Sequence, residues 1–209
     1  MAGRLTWGPA SDALGCGRAL TLLGANTACL LTLPMATSML TAAGSATAPA
    51  DAHTALQLFK LCAGGNIFLM AGAPVVLAPA VTELFGARDA TAIYQRIGAV
   101  ITIASPVGAT LVTTMRDHAY LREATVLASA CDEQAFLAAF GDTSANIASL
   151  VKTNTATLPL LLHIAPEGTP DPTPLLYNDA FYALAASSAI ACACNVCAFQ
   201  VLSPPVKRS

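Results

Sequence analysis

Charged residues divide this chain into long apolar segments separated by short polar ones. Four stretches contain no charged residue, and the charges that flank them are Arg18 and Asp51, Lys60 and Glu83, Arg96 and Arg116, and Asp179 and Lys207. Each stretch is about as long as, or longer than, the ~20 residues that a helix needs to cross ~30 Å of hydrocarbon. The pattern predicts an all-α membrane protein with four transmembrane helices, at about 19–41, 61–82, 96–115 and 177–202.

Composition supports this prediction. The 209 residues are 55% hydrophobic and 11% charged, whereas an ordinary soluble domain has about 25% charged residues. The net charge of −2 gives no sign of a nucleic-acid partner. One alternative concerns the first span, because Arg4, Arg18 and the small residues of GSATAPA would also suit a secretory signal. The apolar run starts late for such a signal and is longer than its core.

The segment between the third and fourth spans is too polar for a simple connection. It contains AYLREATVLASACDEQAFLAAF (119–140), which has helical spacing, and TSANIASLV, for which Thr143 or Ser144 is a candidate N-cap. We expect a mostly helical, acidic insertion outside the membrane. The predicted organisation is therefore a membrane part over 1–115, an insertion over 116–176, and the last span with a tail over 177–209.

Lysine and arginine set the expected orientation, because they are enriched in cytoplasmic loops. If the first loop is cytoplasmic, that side carries Arg4, Arg18, Arg88, Arg96, Lys207 and Arg208, and the other side carries Lys60, Arg116, Arg122 and Lys152. The bias is modest. It predicts an integral, multi-pass protein with both termini in the cytoplasm, and does not indicate which membrane.

Chemistry-bearing motifs are scarce. Cys192, Cys194 and Cys197 form C-A-C-N-V-C, but on one helix their side chains point in different directions, so small-residue packing is the simpler interpretation than metal binding. Asn195 on the same helix also reads as a packing residue. The sequence has no G-x-S-x-G, H-E-x-x-H or phosphate-binding loop. We therefore expect no enzyme, no catalytic residue, no metal and no cofactor.

The stretch WGPASDALGCGR (7–18) carries a recognisable motif just before the first span. Gly8, Asp12, Gly15 and Arg18 form G-x-x-x-D-x-x-G-x-x-R, which resembles the cytoplasmic loop signature of the major facilitator superfamily. The resemblance implies that these four residues form a conformational latch. From the residues alone, Asp12 could equally be a solvated loop charge or interact with a helix N-terminus.

A second stretch narrows the resemblance. Residues 72–112 contain ELFG (83–86) and SPVG (105–108), and are similar to helices 10 and 11 of a branch with nodulin-like transporters, monocarboxylate-transporter-like proteins and oxalate/formate antiporters. The spans would then correspond to helices 9–12 of a major facilitator fold, after the end of helix 8. Because helices 1–7 are not in this sequence, we expect a missing N-terminal half or a partner chain.

The resemblance implies part of a secondary active transporter that moves a small organic solute, a monocarboxylate-like anion, across a lipid bilayer by alternating access. Asn66, Thr102 and Ser105 are the candidate cavity-lining residues, although Asn66 could instead join helices by hydrogen bonds. Oxalate is a disfavoured solute, because the resemblance implies a carboxylate-binding lysine in helix 11 of oxalate transporters and the third span has no lysine. The alternative is a truncated, non-transporting membrane scaffold or subunit derived from such a transporter.

Overall fold

The computed structural model describes residues 2–45 and 49–202, and it is 89% helical, with no β-strand in the described residues. The helices are α1 (Ala2–Leu14), α2 (Arg18–Ser45), α3 (Pro49–Phe85), α4 (Ala87–Ala130), α5 (Glu133–Phe140), α6 (Ile147–Lys152), α7 (Leu158–Ile164) and α8 (Asn178–Leu202). Short 3₁₀ turns occupy Gly15–Gly17, Ser144–Asn146 and Thr173–Leu175.

Four helical segments are long and apolar enough to cross a membrane, namely Arg18–Ala42, Ala52–Phe85, Ala87–Ala130 and Thr173–Ala198. This confirms the predicted all-α fold with about four spans, and it is compatible with a multi-pass integral membrane protein. Three of the four helices are longer than the predicted spans: α2 ends at Ser45, α3 begins at Pro49 rather than near 61, and α4 extends beyond both Arg96 and Arg116. The fourth, α8, matches its predicted span closely. Charges mark where the apolar part ends, whereas the helix continues because the flanking residues still favour helix.

The chain divides into two compact units. The first consists of the described parts of Met1–Leu33, Lys60–Ala109 and Phe181–Ser209. Within it, Trp7 of α1 packs with Leu22 of α2 and with Leu69 and Val76 of α3, and all four side chains are buried. This cluster fixes α1 against the first parts of α2 and the second half of α3.

Polar side chains inside the first unit are joined in a chain of hydrogen bonds. Asn66 of α3 donates to Asn26 Oδ1 of α2 at 2.8 Å, and Asn26 Nδ2 donates to Ser188 Oγ of α8 at 3.2 Å. The Ser188 hydroxyl in turn donates to the Leu23 carbonyl oxygen at 3.3 Å. An amide without a hydrogen-bond partner is energetically unfavourable in the hydrocarbon region of a membrane. These hydrogen bonds therefore both satisfy the polar groups and link α2, α3 and α8.

The second unit, Pro34–Phe59 with Thr110–Ala180, contains a hydrophobic core of its own. Its buried residues come from the last part of α4, from α5 to α7 and from the segment that follows: Ala119, Ala124, Leu127, Ala128, Phe136, Ile147, Leu150, Ala156, Leu158, Leu161 and Leu176. Phe136 is fully buried, and its ring centroid lies 4.8 Å from that of Phe140. The insertion predicted over 116–176 is therefore mostly helical and is built around a packed core.

The helical stretch expected over 119–140 is divided at Cys131 and Asp132. Asp132 caps α5, where its carboxylate accepts a hydrogen bond from Ala135 N at 3.3 Å, and Gly141 ends the helix with φ 71°. Thr143 takes the predicted N-cap position, but its side chain makes no capping bond. Instead, the hydroxyl and backbone N–H of Ser144 donate to the Glu133 carboxylate and lower the pKa of Glu133.

Candidate functional site

The loop motif spans the second half of α1, a tight turn at Gly15–Gly17 and the first residue of α2. Gly15 begins a 3₁₀ turn with φ 52°, a left-handed conformation that glycine adopts without steric cost. Gly8 lies inside α1, and a Cβ atom built on it meets no atom within 4 Å. The turn therefore favours glycine at position 15, whereas the structure gives no steric reason for a glycine at position 8.

Arg18 is the most connected residue of the motif. Its side chain is only 5% exposed. Nε donates to the Gly15 carbonyl oxygen at 2.7 Å, Nη1 donates to Ser11 Oγ at 3.1 Å, and Nη2 pairs with the carboxylate of Glu83. A buried guanidinium needs such partners, because an unpaired charge out of water is strongly unfavourable. These contacts join α1, the turn and the end of α3 around one cation, and we call these four residues the Arg18 cluster.

Asp12, the other charged residue of the motif, is exposed, and its carboxylate forms no hydrogen bond or ion pair with the residues that the structure describes. The carboxylate that pairs with Arg18 is Glu83, the first residue of ELFG. The latch role predicted for Asp12 stays a prediction, and the geometry adds Ser11 and Glu83 to the residues that matter at this turn.

An apolar cavity of about 510 Å³ lies in the first unit. Its walls come from α2, α3, α4 and α8, and its lining residues are Ala19, Leu22, Leu23, Ala73, Pro74, Val76, Leu77, Ala80, Tyr94, Gly98, Ile101 and Asn195. No charged residue lines it. Asn195 Oδ1 is buried and has no hydrogen-bond partner among the described residues. The volume falls within the about 300–1,000 Å³ typical of small-molecule pockets.

The structure does not bring the three predicted cavity residues together. Asn66 hydrogen-bonds to Asn26, as in the alternative interpretation in which it joins helices. Thr102 is exposed and donates to the Gly98 carbonyl oxygen of its own helix at 2.9 Å, and Ser105 is exposed on α4. None of the three lines the 510 Å³ cavity. Their predicted contact with solute stays a prediction.

Asn195 and Tyr94 line the cavity but were not predicted as site residues. The sequence predicts a packing role for Asn195 on a helix of small residues, and only the fold places it in one cavity wall with residues of α2, α3 and α4. Within the described part of the chain, no group of three or more His, Cys, Asp or Glu residues could hold a metal ion. Cys192, Cys194 and Cys197 are free thiols, and the last two are exposed.

The chain was also compared with known proteins. No protein-family model matches it, and neither a curated protein nor a solved structure matches it. The resemblance to the major facilitator superfamily therefore rests on the sequence motifs, chiefly the loop motif, ELFG and SPVG.

Proposed function

We propose that this chain is part of a secondary active transporter of the major facilitator type, which moves a small organic solute by alternating access. The solute is a monocarboxylate-like anion. Support comes from the loop motif over 8–18, from ELFG and SPVG, and from four helices long and apolar enough to span a bilayer. The chain would act with a further set of helices, carried either by an N-terminal half in the same protein or by a partner chain.

The observation that carries the proposal is the Arg18 cluster. It joins the two stretches on which the resemblance rests, since Arg18 closes the loop motif and Glu83 opens ELFG, 65 residues away. Both charges lie at the ends of charge-free segments, where a membrane helix meets water. An ion pair at such a boundary can hold one conformation closed and release it when it breaks, as alternating access requires.

The apolar cavity suits the body of an organic solute and not its charge. A carboxylate in a lining without a charged residue would lose its hydration without compensation. The cation that balances the anion would therefore come from the further helices, or the solute would enter the cavity protonated. Either way, α2, α3, α4 and α8 supply the apolar wall.

Solute uptake tests the proposal. Cells that express the complete gene product are given labelled formate, lactate and pyruvate, with and without a proton gradient. We expect uptake of at least one solute above that of untransformed cells, and a lower rate in Glu83→Gln. Glu167→Gln is the matched control, because Glu167 is an exposed glutamate in the 116–176 insertion. If the wild-type protein moves none of a broad panel of organic anions, the proposal fails.

The alternative is a non-transporting membrane subunit, for which one face of α4 would supply the partner-binding surface. The most apolar part of α4 has no residue buried inside the chain, and Val100, Ile103 and Val107 are 63–70% exposed. A helix of this kind is covered by lipid or by another protein. Chemical cross-linking from cysteines introduced at these positions distinguishes the functions: a specific partner without solute uptake supports the subunit, and uptake supports the transporter.

We further propose that both termini face the cytoplasm and that the chain has no enzymatic activity of its own. The first statement rests on the distribution of lysine and arginine, with Arg18 and Arg96 on the cytoplasmic side and Lys60 and Arg116 on the other. Epitope tags at each terminus, stained with and without permeabilising the plasma or organelle membrane, test it. A tag that is accessible from the outer side without permeabilisation contradicts this orientation.

A further inference from the structure

A polar cleft lies in the second unit, and it shares no residue with the Arg18 cluster or the apolar cavity. It has a volume of about 410 Å³, and it is formed by one face of α4, by the end of α6 and by the turn after it. Its lining residues are Arg116, Asp117, Tyr120, Val151, Lys152 and Asn154. The cleft thus gathers two cationic side chains from two different elements, and nothing in the proposed transport function uses them.

Three hydrogen-bond donors in this cleft are available to a ligand. The Lys152 side chain is exposed, and its ammonium group forms no hydrogen bond or ion pair with any residue that the structure describes. Arg116 is held only loosely, with Nη1 3.5 Å from Asp117 Oδ1. The Tyr120 hydroxyl oxygen accepts a hydrogen bond from Leu158 N at 3.0 Å, which leaves its own hydrogen free to donate.

The position of Arg116 along α4 indicates which anion these donors meet. No charged residue lies between Arg96 and Arg116, so the apolar stretch of α4 matches the hydrocarbon thickness and ends at Arg116. In a bilayer Arg116 then lies at the level of the headgroups, where phosphate is the abundant oxyanion. Arginine binds phosphate through paired N–H groups and lysine binds it as a point charge.

We propose that this cleft binds a phosphate group, through Arg116 and Lys152 with the Tyr120 hydroxyl as a third donor. The phosphate belongs to a phospholipid headgroup or to a free phosphate ion, and the two sources share this chemistry. Asp117 opposes the bound anion and competes with it for Arg116. Removing the Asp117 charge should therefore strengthen phosphate binding. If the cleft residues had only a structural role, this substitution would not increase the affinity.

Ligand binding to the whole purified chain in mixed detergent micelles tests the proposal. Phosphatidic acid is compared with diacylglycerol of the same acyl chains, and inorganic phosphate is compared with chloride at equal ionic strength. The variants are Arg116→Gln, Lys152→Gln and Asp117→Asn. Lys60→Gln is the matched control, because Lys60 is an exposed cation placed on the same side of the membrane but outside the cleft.

We expect the wild-type chain to bind phosphatidic acid more tightly than diacylglycerol, and Arg116→Gln or Lys152→Gln to weaken this binding about tenfold. Asp117→Asn should strengthen it, and Lys60→Gln should leave it unchanged. Binding of inorganic phosphate alone, with the same response to the variants, assigns the site to the free ion. The proposal is overturned if neither probe binds selectively, or if Lys60→Gln weakens binding as much as Arg116→Gln. If Arg116→Gln does not fold, Lys152→Gln and Asp117→Asn test the proposal in its place.

Discussion

Gly72→Ala perturbs the contact that holds α1 against α3. A Cβ atom built on Gly72 lies 2.6 Å from Trp7 Nε1 and closer still to Trp7 Cδ1. Real Cβ atoms essentially never approach a neighbour below 3.0 Å, so the indole must move. It has little room to do so, because Trp7 is 7% exposed and packs against Leu22, Leu69 and Val76.

The size of the effect follows from two opposing terms. Overpacking of a filled core costs about 1–3 kcal/mol, and replacing glycine by alanine inside a helix recovers about 0.8–1.0 kcal/mol. We expect a net destabilisation of up to about 2 kcal/mol for Gly72→Ala, the difference of these two terms. Gly64→Ala on the same helix is the matched control, because no atom lies within 4 Å of its Cβ position. That variant should be neutral or slightly more stable.

Fluorescence makes this prediction specific, because Trp7 is the chain's one tryptophan. Thermal unfolding in detergent, followed by tryptophan emission, gives the stability, and the emission maximum before unfolding gives the environment of the indole. We expect Gly72→Ala to shift that maximum to the red and lower the midpoint. In a Trp7→Ala background, Gly72→Ala should cost nothing, as read by circular dichroism. If Gly72→Ala and Gly64→Ala behave alike with unchanged emission, the Trp7–Gly72 contact is wrong.

Two further predictions concern carboxylates. Asp12→Ala should lower solute uptake more than Asp132→Ala, compared at equal amounts of folded protein because Asp132 caps α5; equal effects argue against a latch at Asp12. The lowered pKa of Glu133 means that its hydrogen bonds from Ser144 stabilise the folded insertion above the ordinary value of 4.5, and that this stabilisation is lost as the pH falls through the lowered pKa. The melting temperature should fall over that acidic range, less steeply in Glu133→Gln, and an identical pH dependence in both proteins contradicts this reasoning.

The four spans were predictable because charge is so strongly excluded from hydrocarbon that its absence is a local signal. The ends of the helices were less predictable than the spans. Residues outside the apolar part remain helical, so α3 begins at Pro49 and α4 continues to Ala130. The core of the second unit was not predicted, because contacts such as Leu158 N with Tyr120 link residues far apart in the sequence. A local sequence pattern does not indicate which distant helices and loops pack against each other.

The same contrast holds at the candidate site. The motif identifies Arg18 from local spacing, but the side chains that bind Arg18 are known only from the fold. Ser11 lies in α1, and Glu83 lies near the end of α3. One signal for Glu83 was present, because it is the first charge after Lys60 and so ends an apolar segment, as Arg18 begins one. When two consecutive spans are antiparallel, the start of the first and the end of the second lie at the same face of the membrane. Opposite charges at these two positions therefore suggest a contact such as that of Arg18 with Glu83.

The most direct test of the account is a charge exchange between Arg18 and Glu83 in the complete gene product, with uptake of a transported organic anion as the readout. A conformational coupling is typically worth about 1–3 kcal/mol, and a barrier raised by that amount slows uptake by about 5- to 150-fold. We predict that Arg18→Glu and Glu83→Arg each lower uptake by at least about fivefold. The double variant should recover part of the loss, because the ion pair forms again in reverse. Wild-type protein that moves no organic anion, or single variants that transport normally, would contradict the account.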